Sequence, residues 1–215
     1  MNELTGPTAV AMIRATVSRI DNSARELSRL DAVAGDGDHG VNMAAGFRNA
    51  EARLATEQPA IAADVFAAVG QTFGESAGGS AGALFGALFG ALGGRLGRSP
   101  APEARDLVDG LELATKRVAL IGQVKVGAKT MLDALEPATR AAREALDAGG
   151  GLADVVSAAA VASRHGAAAT ADMRAVAGRA RHAPNGAVGT RDPGAVTISI
   201  MFTAWAETIA LEVGS

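Results

Sequence analysis

The chain has 215 residues, 48% of them apolar, with a formal net charge of −3 and no cysteine. That length suits one domain with a sizeable core. The missing thiols exclude disulfides, zinc–thiolate sites and a thiol nucleophile, and the slight acidity argues against a nucleic-acid binder. No basic segment precedes an apolar run at the N-terminus, so no signal peptide is read and a cytoplasmic protein is expected.

Strand-like alternation is scarce and helical periodicity dominates. Thr5-Gly-Pro7 opens a first helix with Pro7 in its first turn. Val10, Ile13, Val17, Ile20 and Leu27 then recur at three- and four-residue steps. A second helix starts near His39 and turns Met43, Phe47 and Ala50 inward, and Ile61 to Phe73 forms a third that ends near Gly74. Ser80 is placed to cap a fourth, which runs to about Leu96. Its glycines, Gly82, Gly86, Gly90 and Gly94, fall on one face and predict close helix–helix packing. The apolar run from Ala81 to Gly94 holds 14 residues, where a membrane span needs about 20, so no membrane association is expected. After a turn at Arg98-Ser-Pro-Ala-Pro102, helices are predicted over Glu103 to Leu120, Lys129 to Leu146, Leu152 to Ala169 and Pro193 to Val213. No Pro- or Ser-rich linker divides the chain, which favours one all-α domain. The longest irregular stretch, Arg179 to Gly194, is basic and rich in turn residues. A loop this long in a helical domain is commonly a lid or binding loop.

Three carboxylates crowd the segment Asp31-Ala-Val-Ala-Gly-Asp36-Gly-Asp38-His39-Gly40-Val-Asn42-Met43. Carboxylates this close repel one another unless a hard cation lies between them, and oxygen-rich clusters suit Mg²⁺ or Ca²⁺. The alternative is a glycine-rich loop whose aspartates cap the next helix. Gly35 to Gly40 fits G-x-G-x-x-G literally, but a dinucleotide fingerprint needs a preceding strand, and two aspartates would repel its phosphates. An EF-hand fails too, with Val41 and Phe47 where glycine and glutamate are required. Gly122 to Thr130 approaches a Walker A loop, broken by Ala128 and lacking a strand before it. Gly78-Gly-Ser80-Ala-Gly82 could present free amides to an anion at a helix start. His182 beside Arg179 and Arg181 is either a phosphate contact or a solvated residue, and neither His39 nor His165 belongs to a zinc pattern or catalytic triad. Divalent cation, anion site and arginine together form the inventory of phosphoryl transfer.

The segment from Asp31 to Met43 resembles the signature of the nucleotide-binding L subunit of dihydroxyacetone kinase, a family that includes the C-terminal domain of single-chain dihydroxyacetone kinases. Gly78 to Gly86, Gly127-Ala-Lys129-Thr-Met131-Leu-Asp133-Ala-Leu, and Gly178-Arg179-Ala180 followed by Asp192-Pro193-Gly194-Ala195 agree with it in order and spacing. The resemblance implies a single domain over residues 1–215, a barrel of about eight antiparallel helices with the nucleotide at one end. It implies two Mg²⁺ ions held by Asp31, Asp36 and Asp38. ADP or ATP would be held by His39, Gly40, Val41, Asn42, Ser80, Ala81, Gly122, Met131, Arg179, Asp192, Pro193 and Gly194. No catalytic residue beyond these ligands is implied.

The resemblance further implies a kinase subunit that passes phosphoryl to dihydroxyacetone or a related short keto-sugar held by a partner K-type subunit. The donor is either exchanging ATP or bound ADP recharged from phosphoenolpyruvate by a phosphotransferase-system protein. Self-association is left open. The alternative function is a Mg-ADP sensor that regulates a partner without turnover. Three positions depart from the common family pattern: Ala128 stands where aspartate is frequent, Ala81 where a small polar residue is frequent, and the loop after Ala180 reads Arg181-His182-Ala-Pro184-Asn185-Gly186.

Overall fold

The computed structural model describes residues 3–76 and 79–213. Eight α-helices are found there: α1 Gly6–Asp31, α2 His39–Glu57, α3 Ala62–Ser76, α4 Gly79–Leu96, α5 Ala104–Gly122, α6 Leu132–Asp147, α7 Leu152–Ala169 and α8 Pro193–Val213. Three short 3₁₀ turns, Thr170–Asp172, Arg179–His182 and Pro184–Ala187, lie between α7 and α8. No strand occurs among the described residues beyond an isolated bridge between Glu3 and Glu103.

Each helix packs on its neighbours in sequence, and α8 returns to pack on α1, so the ring closes into a barrel. Most connections are short, which makes consecutive helices antiparallel. This order has a simple consequence for the loops. The last residues of α1, α3, α5 and α7 and the first residues of α2, α4, α6 and α8 all lie at one end. The start of α1 and the end of α8 lie at the other, where Thr8 Oγ1 of α1 donates to Glu212 Oε2 of α8 (2.8 Å) and Leu4 N–H donates to Pro102 C=O (2.7 Å).

Local chemistry explains the helix limits. Thr5 Oγ1 accepts the Thr8 N–H at 3.2 Å and caps α1. The Glu103 N–H donates to Asp106 Oδ2 at 3.0 Å and opens α5. α7 and α8 run as the periodicity predicts. α3 continues past Gly74 to Ser76, and the Gly74 backbone packs against Gly86 of α4. α6 begins at Leu132 rather than Lys129. Lys129 is left-handed (φ 61°), and the Asp133 carboxylate accepts the Thr130 N–H at 2.7 Å, closing a turn ahead of the helix.

All six phenylalanines and the single tryptophan form one buried cluster, contributed by α2, α3, α4 and α8. Phe89 sits at its centre, with ring centroids 6.0–6.4 Å from Phe47, Phe66, Phe73 and Trp205. The glycine stripe of α4 is only partly what the spacing predicts. A Cβ on Gly70 of α3 would lie 2.6 Å from Gly90 N, and one on Gly93 would lie 2.7 Å from Ala63 O. Gly86 and Gly90 therefore meet α3 through their backbone. Gly94 faces open space, and the off-register Gly93 takes its place. α8, and not the run from Ala81 to Gly94 weighed above, is long and apolar enough to cross a membrane. In the barrel it is a wall of the core, with Ile198, Met201, Phe202 and Trp205 buried.

Candidate functional site

The four sequence blocks lie at the end of the barrel where α1, α3, α5 and α7 finish and α2, α4, α6 and α8 begin. Asp31 ends α1 and is 9% exposed, whereas Asp36 and Asp38 stand in the open loop that follows. Asp31 Oδ2 accepts the Gly37 N–H (3.0 Å) and, more weakly, the His39 N–H (3.4 Å). Gly37 is left-handed (φ 77°) and turns the chain back over that carboxylate. At Gly40 a Cβ would lie 1.9 Å from Ala24 O, so only glycine lets α2 start this close to α1. Asp38 occupies the cap position of α2 but makes no side-chain cap bond. The helix-cap alternative therefore fails for it.

One oxygen from each of the three carboxylates lies within 4.8 Å of the others. An all-carboxylate set with room for further oxygens fits Mg²⁺, which takes a few protein carboxylates and fills its octahedron with phosphate and water. The charge is met by Arg179. Its Nη1 donates to Asp36, and its Nη2 lies 3.6 Å from Asp31 and 3.5 Å from Asp38. Desolvation opposes the charge on Asp36, but hydrogen bonds with Asp38 and Arg179 outweigh it and hold the carboxyl below the usual range. The same carboxylates raise Arg179 despite its own desolvation.

His39 is mostly enclosed, and that burial lowers its pKa although Asp31 and Asp38 pull the other way. Thr197 Oγ1 donates to Pro193 C=O at 2.9 Å, so His39 Nε2, 2.9 Å from the same oxygen, is the donor to it. This bond ties the start of α2 to the first turn of α8. Asp192 caps α8, with its Oδ2 accepting the Ala195 N–H at 2.7 Å. Burial pushes the Asp192 carboxyl up to about 7, with Asp133 adding to the shift and Lys129 opposing it.

A cleft of about 670 Å³ opens beside the carboxylates. It brings together Asp36, Asp38, His39, Asn42, Ser80, Ala81, Met131, Arg179, Asp192, Pro193 and Gly194. Asp31 lines a smaller adjoining cavity under Arg179. Gly122 lines an apolar pocket of about 310 Å³, which shares Ser80, Leu84, Thr130, Met131 and Gly178 with the cleft. Gly40 is buried against α1 and Val41 is 63% exposed. Neither lines any of these three cavities. Ser80 lies within the first turn of α4 rather than capping it, and Gly78 lies outside the described residues. Lys129 lines the small cavity with Asp31 and Arg179, but its Nζ donates to the Thr170 and Thr190 carbonyls. It is 3% exposed and buried beneath the loop, and burial lowers its pKa although Asp192, Asp172 and Asp133 oppose the shift.

Sequence reasoning missed Leu84, Phe85 and Thr130 in the cleft, and Ala83, Val118, Ile121, Val124 and Ala177 in the apolar pocket. Leu84, Phe85 and Val118 share the periodicity of core positions, so spacing does not separate a pocket wall from a core contact, and Val124, Thr130 and Ala177 lie between helices with no pattern to mark them.

Fold and site together define an all-α barrel with an acidic, arginine-bridged cleft on four clustered loops. Residues 33–207 match the model of the DAK2 domain, and the chain belongs to that family. It is 40% identical over 189 residues to the L-erythrulose 1-kinase of Mycolicibacterium smegmatis, covering 87% of this chain and 33% of that protein. The chain thus spans about a third of the length of that relative. It is 32% identical over 190 residues to the ADP-binding subunit DhaL of PEP-dependent dihydroxyacetone kinase 1 of Listeria innocua, covering 88% of this chain and 90% of that one. The crystal structure of C. freundii dihydroxyacetone kinase in complex with AMP-PNP and Mg²⁺ superimposes with a TM-score of 0.72 at 27% identity, over 96% of this chain and 35% of that one.

Proposed function

We propose that residues 1–215 act as one nucleotide-binding unit of a keto-sugar kinase. Its substrate is a Mg²⁺-complexed adenine nucleotide, whose terminal phosphoryl passes to a hydroxyl of dihydroxyacetone or a related short ketose such as erythrulose. The observation that carries this reading is the convergence of Asp31, Asp36 and Asp38 with Arg179 at the mouth of a cleft that continues into an apolar pocket. The names of the relatives point the same way.

The chain's own residues divide the work. Asp31, Asp36 and Asp38 hold divalent cations, in the proposal two Mg²⁺. Met131, Leu84 and Val124 take the base. Ser80 and the free amides of the first turn of α4 face the phosphates. Arg179 exchanges its carboxylate partners for phosphate oxygens, and the first turn of α8 closes the cleft through Asp192, Pro193 and Gly194. Bound Mg²⁺ would neutralise phosphate charge, so catalysis here is positioning and electrostatics.

A partner holding the sugar is part of the proposal. Val33, Val41, Leu120, Ile121, Val126, Val176 and Val188 are large apolar side chains at least 43% exposed. All belong to the loops and helix ends around the cleft. Scattered apolar residues mean little, but a ring of them around a site fits a docking face. The same reading places the protein in the cytoplasm.

Calorimetric titration of the metal-stripped protein with ADP and ATP, with and without Mg²⁺, tests the proposal. Mg²⁺-dependent ADP binding that survives dialysis supports a bound coenzyme recharged from phosphoenolpyruvate. Exchangeable binding with ATP preferred supports an ATP-dependent kinase. Absence of nucleotide binding refutes the proposal. Ketose phosphorylation after adding the K-type partner separates the kinase from a nucleotide sensor.

A further inference from the structure

We infer that Lys129 is a positioning residue, a clasp that fixes the loop between α7 and α8 and so sets where Arg179 meets the phosphates. The inference rests on the nucleotide-binding reading of the cleft.

Lysine is seldom buried without partners for its ammonium. Lys129 is 3% exposed, and its Nζ donates to Thr170 C=O and Thr190 C=O, both at 2.5 Å. These carbonyls stand at the two feet of the loop that carries Arg179 at its tip. One ammonium therefore closes the base of a 20-residue excursion. Its backbone pays for this aim with a left-handed φ of 61°, a conformation lysine seldom adopts.

Neighbouring bonds reinforce the clasp. The Val176 N–H donates to Ala128 C=O at 3.3 Å, and the Gly189 N–H donates to Ala171 C=O at 2.8 Å. The Asp192 N–H donates to Thr170 Oγ1 at 2.9 Å. Of these ties, only those from Ala128 and Lys129 reach the loop from outside it. Met131, the proposed base contact, follows two residues after Lys129. The clasp thus couples the wall of the base pocket to the arginine at the phosphate end. Lys129 lines the small cavity under Arg179, but its ammonium is taken up by the two carbonyls, and it acts through Arg179 and the first turn of α8.

The test uses the full chain with Lys129→Met and the gentler Lys129→Gln, whose amide keeps two N–H donors. Limited trypsin digestion reads cleavage after Arg174, Arg179 and Arg181, and calorimetry reads Mg-ADP affinity in the same variants and in Arg179→Met. The clasp predicts that Lys129→Met still unfolds cooperatively and is cut at Arg174, Arg179 and Arg181 about tenfold faster, with sites outside the loop unchanged. It predicts Mg-ADP binding weaker by about 10- to 100-fold, the range for residues that orient a ligand-binding group. Lys129→Gln recovers part of both effects. In the Arg179→Met background the lysine substitution costs less than about threefold more, because both changes remove the same contact.

Unchanged cleavage and affinity in folded Lys129→Met overturns the clasp, as do effects that simply multiply in the double variant. Loss of cooperative unfolding in both lysine variants also overturns it, since the lysine would then be a core residue. If the unaltered chain binds no Mg-ADP, the functional reading fails, and the trypsin comparison still decides whether Lys129 holds the loop.

Discussion

Arg179→Met is expected to move two affinities in opposite directions. The guanidinium sits among Asp31, Asp36 and Asp38, so a cation binding those carboxylates competes with it. The arginine side chain is 56% exposed, so each contact is worth only the few tenths to about 1 kcal/mol of a solvated ion pair. Three contacts on one guanidinium sum to about 1–2 kcal/mol, and each 1.4 kcal/mol is a factor of ten. Mg²⁺ alone should then bind about 5- to 30-fold more tightly to Arg179→Met. Mg-ADP should bind about 10- to 100-fold more weakly, because a charge-assisted bond to phosphate worth about 1.5–3 kcal/mol is gone. The methionine keeps most of the stem volume, so packing changes little. The assay is a pair of calorimetric titrations at fixed ionic strength, one with MgCl₂ alone and one with ADP at saturating Mg²⁺. The reasoning is refuted if Mg²⁺ affinity falls or stays constant, for the arginine would then not compete for the carboxylates.

Asp36→Asn should lower Mg-ADP affinity at least about tenfold while shifting the thermal midpoint by no more than about 2 °C, since exposed substitutions stay within about 0.5 kcal/mol; calorimetry and circular dichroism check the two halves. Asp192 binds its proton more tightly folded than unfolded, so its share of the stability is largest when protonated and falls as pH rises from about 4 to about 7. Asp192→Asn should remove that slope from the difference between the two denaturation curves, and parallel curves would contradict the assignment. Phe89→Ala, at the centre of the aromatic cluster, should cost about 3–5 kcal/mol in urea unfolding yet leave Mg-ADP affinity within about twofold where the variant is folded.

The helices were legible because each carries enough apolar repeat to mark itself. Residues 152–169 and 193–213 came out with their limits correct, since turn-forming Gly149 to Gly151 and Asp192-Pro193 punctuate them locally. Limits failed where distant groups decide the backbone. Lys129 is helical by propensity but is held left-handed by carbonyls on another loop. The three aspartates could be read because they lie within one short segment. Their meeting with Arg179, some 140 residues later, could not be read from spacing. It follows from the order of the ring, which puts every odd-to-even turn at one end. Local pattern also could not show that Gly93 rather than Gly94 faces α3.

The same ring order sets a length requirement on anything tethered to this barrel. The free ends of α1 and α8 lie at the face away from the cleft, and α8 alone has 21 residues, about 32 Å at 1.5 Å per residue. A domain joined covalently to either end and meant to reach the cleft needs a linker of about ten extended residues merely to run alongside the barrel. A shorter linker would hold its cargo at the wrong pole. A sugar-holding protein arriving as a separate subunit meets no such constraint, so linker length alone could decide whether a fused version of this unit can work.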